Sequence, residues 1–411
     1  MKKTQKLFLL ILCFIFMSQT CMAVNMYTWE ITGETSSNIE ATSTVNSVPE
    51  GETGNTLNLQ SGAGILIEQT TGQILYGYNV HEQLRPASVT KIMSILLIME
   101  QIELGKLNYD TKISCSSNAA SMGGSQIWLD TSETLSVEEM LKAICVVSAN
   151  DCVMAMAEHI GGTEEAFVQM MNAKAQALGM NDTTFKNCHG LDEEGHVTSS
   201  YDIALMSREL LNKYPEITKY TTIYMDSLRN GESELVNTNK LLRNYEGCTG
   251  LKTGSTSLAL YNLSASATRD GLSLIAVIMK GPTSAIRFAE AKTLLDYGFN
   301  NFEYRTFANQ GETVKQIEIQ KGIKQTVEVV FEKNVGILVP KGQANSISQT
   351  INLENTIMAP VAVGQTIGKV TYSLGEKQIL EVNLIAKEEV KKINMFTMTC
   401  KVYGNWFNLL R

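Results

Sequence analysis

Residues 85–105 have the sequence RPASVTKIMSILLIMEQIELG. Apolar side chains fill nine of the thirteen positions from Ile92 to Leu104, with a proline ahead of this run and Gly105 directly after it. Proline is favoured where a helix begins and glycine where one ends. The stretch therefore predicts a mostly buried helix, and its N-terminal turn carries Ser88 and Lys91.

The segments on either side of this helix alternate between strand-like and helical patterns. Two apolar runs around the turn Thr70-Thr71-Gly72 predict a β-hairpin. Residues 135–160 and 163–178 have helical spacing. Two further strands joined at Asp270-Gly271, and one more helix, are predicted at Tyr261–Thr268, Leu272–Lys280 and about 284–297.

The pattern of polar and apolar residues changes near residue 303. Segments such as Thr326–Phe331 and Lys377–Leu384 alternate polar and apolar residues, and glycine-containing turns separate them. Such alternation is typical of half-buried strands. It predicts a small all-β domain over 303–386.

The last segment, 387–411, carries an apolar and aromatic stripe at helical spacing with lysines off the stripe. This pattern is typical of an amphipathic helix in a membrane interface. A terminal helix docked on the protein's own core has the same pattern. The position after a complete β domain favours the membrane.

The N-terminus has the layout of a secretory signal peptide. Three lysines precede the apolar run Leu7–Met17, and Cys21-Met22-Ala23 offers a cleavage site after Ala23. Residues 24–57 are polar and predict a flexible spacer. We therefore expect an exported protein on the outer face of the cytoplasmic membrane or in the cell wall, with its main domain over 58–302.

Composition narrows the function further. A chain of 411 residues with 44% hydrophobic residues exceeds one ordinary core, and a net charge of −8 argues against a nucleic-acid binder. Four histidines leave little room for a histidine-rich metal site. Six cysteines remain after the signal segment. Cys145 and Cys152 are seven apart on a predicted helix and fit small core residues better than a disulfide.

Ser88 and Lys91 are three residues apart, so a helical turn brings their side chains together. A serine hydroxyl needs a nearby base, and a desolvated, neutral lysine can be that base. The positive end of the helix dipole also favours negative charge at Ser88. Taken alone, the pair is a weak signal and is better explained by a capping serine beside a solvated lysine.

Two further motifs give the pair a context. Ser148-Ala149-Asn150 begins 60 residues after Ser88, at a predicted turn, and Lys252-Thr253-Gly254 begins 104 residues after that, before a strand-like run. Penicillin-binding proteins and class A β-lactamases share this trio. The chain resembles the serine D-alanyl-D-alanine carboxypeptidases, also in its Asn187–Leu191, Asn237–Leu242 and Ala285–Phe288 segments.

The resemblance implies a transpeptidase-like α/β (α+β) catalytic domain. An antiparallel sheet would be covered by helices, and a helical subdomain at about 105–240 would form the second wall of the cleft. The small all-β domain and the amphipathic C-terminal helix complete the expected architecture. The cleft would lie between the Ser88 helix, the Ser148 loop and the Lys252 strand.

The resemblance also implies roles for the site residues. Ser88 is the acylated nucleophile, Lys91 its base and Ser148 a proton relay to the leaving amine. Asn150 would hold the substrate amide, and Lys252 would supply positive charge near the substrate carboxylate. The expected substrate-binding residues are Thr253, Gly254, Ser255 and Arg287. Arg287 would bind the terminal carboxylate, although a surface ion pair on a helix is an alternative role for it.

The expected substrate is the pentapeptide stem of peptidoglycan, and β-lactams would inhibit by acylating Ser88. No cofactor, metal or nucleic acid is expected, and the membrane surface is the expected partner of the C-terminal helix. A β-lactamase is disfavoured because the E-x-x-L-N context is absent. A non-catalytic cell-wall-binding protein, a Cys188–His189 protease and a zinc site at His189, Asp192 and His196 are weaker alternatives.

Overall fold

The structure, a computed structural model, describes residues 54–395 and 398–399. Its strands are, in chain order, β1 Ala63–Glu68, β2 Ile74–Tyr78, β3 Lys112–Ser114, β4 Thr134–Ser136, β5 Met225–Leu228, β6 Ser233–Val236, β7 Cys248–Thr256, β8 Leu260–Arg269, β9 Leu272–Gly281, β10 Phe302–Ala308, β11 Thr313–Gln320, β12 Thr326–Phe331, β13 Val335–Pro340, β14 Ile347–Leu353, β15 Thr356–Met358, β16 Thr366–Leu374 and β17 Lys377–Ala386.

The helices alternate with the strands of the first 300 residues. They are α1 Lys91–Glu103, α2 Ser117–Ala120, α3 Val137–Val146, α4 Asn150–Gly161, α5 Glu164–Ala177, α6 Ser200–Lys213, α7 Thr218–Thr221, α8 Leu241–Asn244 and α9 Ser284–Asn301. The buried helix predicted around Ile92–Leu104 is α1.

A five-stranded antiparallel sheet, in the order β2-β1-β9-β8-β7, forms the centre of this part. Successive side chains of a strand face opposite sides of a sheet. In β9, Leu274, Ala276 and Ile278 accordingly join the core beneath α9, whereas Ile275 and Val277 join the core beneath α1 and α6. Both faces are covered, which confirms the expected antiparallel sheet between helices.

One predicted helix is two helices. Helical spacing extends over 135–160, but the structure ends α3 at Val146 and begins α4 at Asn150. Ser148 between them has a φ of +67°, a left-handed conformation that no α-helix continues through. The interruption places Ser148 on a tight bend two residues before Asn150, whose side chain contacts Lys91.

The third motif lies on a strand of its own, as the expected Lys252 strand at the cleft requires. Lys252-Thr253-Gly254 belongs to β7 and pairs with Ser264, Leu263 and Asn262 of β8, the predicted strand that follows it. Because β7 is an edge strand of the sheet, its other edge is free to face the turn that carries Ser88.

The C-terminal part is all-β, as predicted. Six strands form one sheet in the order β14-β16-β17-β12-β11-β15, and β10 pairs with β13. These strands enclose a separate apolar core. The exact domain limits, 58–302 and 303–386, stay predictions.

The predicted boundaries shift at both ends of the folded part. The spacer was expected over 24–57, but Asn55 already accepts a hydrogen bond from Leu59 N and one from Tyr76 Oη. The helix expected from residue 387 does not begin there, because Val390 is buried and bridges to Val361. The signal peptide 1–23 and most of 387–411 lie outside the described residues.

Within the described ranges, no helix is long and apolar enough to cross a membrane. Cysteines 115, 145, 152, 188 and 248 are all free in this part, so Cys145 and Cys152 are core residues, as expected.

Candidate active site

Ser88 lies on a 3₁₀ turn, Ala87–Thr90, that leads into α1. Two glycines allow other segments to pack against this turn. A Cβ added to Gly190 would lie 2.0 Å from Ala87 O, and one added to Gly254 would lie 2.8 Å from Ser88 N. The turn is therefore held between the His189-Gly190 loop and β7, and Ser88 remains half-exposed at the cleft.

Lys91 begins α1 and is fully buried. Its Nζ lies 2.9 Å from Ser88 Oγ, 2.6 Å from Asn150 Oδ1 and 2.7 Å from His189 O. Burial lowers the pKa of Lys91 well below its usual value, and the neighbouring charge of Lys252 lowers this pKa further. The two predicted partners, Ser88 and Lys91, are thus in contact, and burial makes the neutral form of Lys91 more accessible than that of a solvated lysine.

The contacts of Lys91 determine where a proton can go. An amide or peptide oxygen can only accept a hydrogen bond. The oxygens of Asn150 and His189 therefore take both N–H bonds of a neutral amine. The remaining lone pair points to Ser88, whose hydroxyl can donate its proton to it. This geometry allows Lys91 to act as a general base on Ser88.

Ser148 lies on the bend between α3 and α4, two residues before the Asn150 that contacts Lys91. Its hydroxyl is buried and is among the side-chain atoms without a hydrogen-bond partner in the described chain. An unsatisfied buried hydroxyl costs roughly 1–3 kcal/mol. Such a cost is typical of a group that a bound substrate completes.

Asn150 has contacts that differ from its expected role. Its Oδ1 accepts from Lys91 and its Nδ2 donates to Gly123 O at 2.6 Å. Both ends of the amide are therefore used within the protein, and neither is free for a substrate amide in this structure. Asn150 instead orients the Lys91 amine.

Lys252 is buried in β7 and donates from Nζ to Thr253 O at 2.9 Å. Burial lowers the pKa of Lys252 to about 7, with a smaller contribution from the positive charge of Arg287. Near neutral pH this lysine therefore exchanges between its charged and neutral forms. The Thr253 hydroxyl shares a 2.6 Å hydrogen bond with Thr238, and Ser255 is exposed at the end of the motif.

Arg287 does not form a surface ion pair. It is buried at the start of α9, and its Nη1 donates to Gly254 O at 3.1 Å and to Asn262 O at 3.0 Å. Burial lowers the pKa of Arg287 to about 10. Its Nε has no partner among the described groups. The guanidinium is thus fixed to β7 beside the Lys252 motif, with a buried Nε–H that no described group accepts.

The structure adds groups that the sequence argument did not assign. The carbonyl of His189 binds Lys91, although the segment around it carried the resemblance. Asn262 donates to Arg85 O and Pro86 O and so fixes the chain before Ser88. An asparagine inside a predicted strand is the signal that could have identified it, since asparagine is depleted in strands.

The histidine and cysteine alternatives do not fit their surroundings. His196 Nδ1 accepts from Lys186 N, and its Nε2 lies 2.8 Å from Thr90 Oγ1, so both ring nitrogens are used. Burial lowers the pKa of His189 to about 3 and raises the pKa of the Cys188 thiol well above its usual value. The part of the chain described contains no cluster of three residues suited to a metal ion.

Comparison with known proteins identifies the nearest families. Residues 50–283 match the D-alanyl-D-alanine carboxypeptidase family, and residues 302–392 match the C-terminal domain of penicillin-binding protein 5. The chain is 41% identical over 361 residues to D-alanyl-D-alanine carboxypeptidase DacF of Bacillus subtilis, covering 87% of this chain and 92% of that relative.

Solved structures agree with the sequence matches. Penicillin-binding protein 5 of Haemophilus influenzae superposes with a TM-score of 0.71 at 31% identity, over 81% of this chain and 98% of that one. Penicillin-binding protein D2 of Listeria monocytogenes, in its ampicillin-bound form, gives a TM-score of 0.55 at 30% identity, over 59% of this chain and 99% of that one.

Proposed function

The chain belongs to the D-alanyl-D-alanine carboxypeptidase family, and on this premise we propose that it releases the terminal D-alanine of peptidoglycan stem peptides through an acyl-enzyme at Ser88. The observation that carries the proposal is the contact of the buried Lys91 amine with Ser88 Oγ at 2.9 Å. β-Lactams are expected to inhibit by acylating the same oxygen.

The first half of the reaction forms the acyl-enzyme. Ser88 Oγ attacks the carbonyl carbon of the penultimate D-alanine while its proton passes to Lys91 Nζ. The backbone N–H groups of Ser88 and Ser255 stabilise the oxyanion. When the C–N bond breaks, the proton held by Lys91 passes through Ser148 to the amine of the departing D-alanine, and Lys91 becomes neutral again. The unpartnered hydroxyl of Ser148 supports this role.

The second half of the reaction is hydrolysis. Water attacks the acyl carbon and loses its proton to the same amine of Lys91, and the Ser88 oxygen leaves and is reprotonated. The enzyme returns to its starting state, and the shortened stem dissociates. No cofactor takes part in either half.

Substrate recognition requires positive charge at the terminal carboxylate. Lys252 and Arg287 supply this charge, Thr253 supplies a hydroxyl, and Gly254 permits the close approach of β7 to Ser88. The link from Arg287 to Gly254 O supports a position beside the bound carboxylate. These groups explain why a free C-terminus would be required.

Mass spectrometry after treatment with a fluorescent penicillin tests this proposal. The wild-type chain is expected to carry a lasting adduct on Ser88. Ser88→Ala is expected to lose both the adduct and the release of D-alanine from a stem pentapeptide. A short-lived adduct would instead indicate a β-lactamase, and no adduct a binding protein. Release of D-alanine by Ser88→Ala would overturn the mechanism.

The cellular location follows from the same function, since peptidoglycan lies outside the cytoplasm. Residues 1–23 would direct export, and the amphipathic stripe within 387–411 would hold the enzyme at the membrane surface. The catalytic domain over 58–302 would then act on stems close to the membrane.

A further inference from the structure

Trp128 is 75% exposed, yet its backbone is fixed from two sides. Asp151 accepts hydrogen bonds from the flanking Ile127 N at 3.0 Å and Leu129 N at 3.1 Å. Arg229 donates to Ile127 O at 2.9 Å and to Trp128 O at 3.2 Å. These contacts hold Trp128 at a φ of +54°, a conformation rare for a large side chain. The indole is therefore presented to solvent by a rigid support.

The ring of Trp128 is also oriented. In the amide orientation that satisfies both of its partners, Gln126 donates to Met122 O at 2.7 Å and accepts from Trp128 Nε1 at 3.1 Å. The indole N–H is thus already used. What remains for a ligand is the apolar π-face of the ring, which takes aliphatic chains and cations rather than hydrogen-bond acceptors.

The loop that carries Trp128 is part of the cleft wall. Gly123 O accepts from Asn150 Nδ2 at 2.6 Å, and Ser125 O accepts from Asn150 N at 2.7 Å. A Cβ added to Gly124 would lie 2.8 Å from Asn150 Nδ2, so the loop is packed tightly on this asparagine. The loop that packs on Asn150, the residue that orients Lys91, therefore continues from Ser125 to the exposed indole of Trp128.

The electrostatic surroundings of this loop are negative. Asp130, two residues beyond Trp128, is exposed. Burial raises the pKa of the nearby Cys115 thiol to about 11, and four carboxylates raise that pKa further: Asp151, Glu133, Glu158 and Asp130. Arg229 donates to Trp128 O and pairs with Glu133 at 2.7 Å, so its charge offsets one of these carboxylates. The remaining three still favour a positively charged group over a negative one at the ring of Trp128.

Building on the proposed function, we infer that Trp128 is a specificity-determining residue for the stem residue that precedes the two D-alanines. Its ring packs against a long aliphatic side chain that ends in an ammonium group, the kind of side chain that a diamino acid supplies. Asn150 contacts both Lys91 and the start of the Trp128 loop, at Gly123 O and Ser125 O, so this loop begins beside the reacting centre. The side chain one residue upstream of the acylated D-alanine would then lie along this loop.

Activity measurements that combine Trp128 variants with peptides of different side chains test this inference. D-alanine release is measured for acetyl-Lys-D-Ala-D-Ala, acetyl-(Nε-acetyl)Lys-D-Ala-D-Ala and acetyl-Ala-D-Ala-D-Ala. We expect the wild-type enzyme to prefer the free lysine over alanine by about three- to ten-fold in kcat/KM, mainly through KM. Trp128→Ala should reduce this ratio to about one, and Trp128→Phe should keep part of it.

Leu104→Ala is the matched control. Leu104 is a 58% exposed apolar residue at the far end of α1, about 20 Å along the helix from Lys91, and its removal should leave the ratio unchanged. Penicillin acylation reports that each variant is folded. An unchanged ratio in Trp128→Ala, a wild-type enzyme without the preference, or equal rates for lysine and Nε-acetyl-lysine would each overturn the inference. If the wild-type enzyme releases no D-alanine from any peptide, the proposed function itself fails.

Discussion

At the scale of single residues, the site depends on two buried lysines whose charge burial disfavours. Lys91 combines burial with two oxygen acceptors that can only receive its N–H bonds, and the lone pair is thereby directed to Ser88. Lys252 is buried nearby and lacks such a set of carbonyl acceptors. The same physical effect thus makes one lysine a base and leaves the other able to bind an anion when protonated.

The pKa of Lys252, which burial lowers to about 7, predicts a pH dependence of substrate binding. As the pH rises through about 7, Lys252 loses its proton and the attraction for the terminal carboxylate weakens, so kcat/KM should fall. A bound carboxylate raises this pKa, so the fall in kcat should lie at higher pH. Steady-state rates on a stem pentapeptide over a range of pH measure both the fall in kcat/KM and the fall in kcat.

The same peptide with a C-terminal amide serves as the control for this pH effect. It carries no carboxylate, so its slower hydrolysis should lack the fall in kcat/KM above about pH 7. Coincident pH profiles for the acid and the amide would exclude Lys252 as the group responsible.

Residue-scale prediction from the sequence was partial for a physical reason. The pairing of Ser88 with Lys91 follows from helical spacing, and the structure confirms the contact. The link from Lys91 to the His189 carbonyl joins residues 98 positions apart and involves a backbone oxygen, which no side-chain pattern reveals. The two uses of the Asn150 amide depend in the same way on packing between distant segments.

At the scale of elements, glycines set the distances between the segments of the site. Gly190 has a φ of +92°, and a Cβ on it would lie 2.0 Å from Ala87 O. Gly105 has a similar left-handed φ of +68° but nothing within 4 Å of an added Cβ. A substitution at either glycine strains the backbone, but only one at Gly190 also displaces the Ser88 turn. Comparing the two substitutions therefore distinguishes these effects.

We predict that Gly190→Ala lowers the kcat of D-alanine release by about 100-fold, because it pushes the Ser88 turn away from the loop that holds Lys91. Gly105→Ala should cost only about 1–2 kcal/mol of stability and leave kcat unchanged. Thermal unfolding and D-alanine release, measured on both variants, provide the comparison. Equal loss of activity in the two variants would contradict the account.

Sequence patterns predicted most elements and left one boundary open. The hairpin, the buried helix and the strands on either side of Asp270-Gly271 follow from periodicity and turn residues. At Ser148 the apolar spacing continues across a predicted turn, and the structure places a left-handed residue there that ends one helix before the next begins. The Lys252 motif lies on β7, where its lysine and threonine are buried, so the apolar pattern alone does not reveal this strand.

At the scale of the whole molecule, three distant segments meet at one edge of the central sheet. The catalytic part and the all-β part have separate apolar cores, and the C-terminal chain is tied to the latter through Val390. A truncation that removes the amphipathic stripe and leaves the all-β part intact must therefore begin after Val390.

Removal of residues 396–411 is predicted to release the enzyme from membranes without loss of activity on small peptides. Removal of residues 387–411 should in addition lower the Tm of the β part, because it deletes the buried Val390. Membrane sedimentation and thermal unfolding of the two truncations measure these effects. Continued sedimentation of the shorter truncation with membranes would refute the anchor.

The rate at which benzylpenicillin acylates Ser88, measured against pH, tests the central claim most directly. The account predicts a rate that rises with pH through a pKa well below that of a free lysine, because Lys91 must be neutral to accept the proton. In Lys91→Arg, whose guanidinium stays charged, the adduct should be lost at every pH. An undiminished Ser88 adduct in that variant, or an adduct on another residue, would contradict the account.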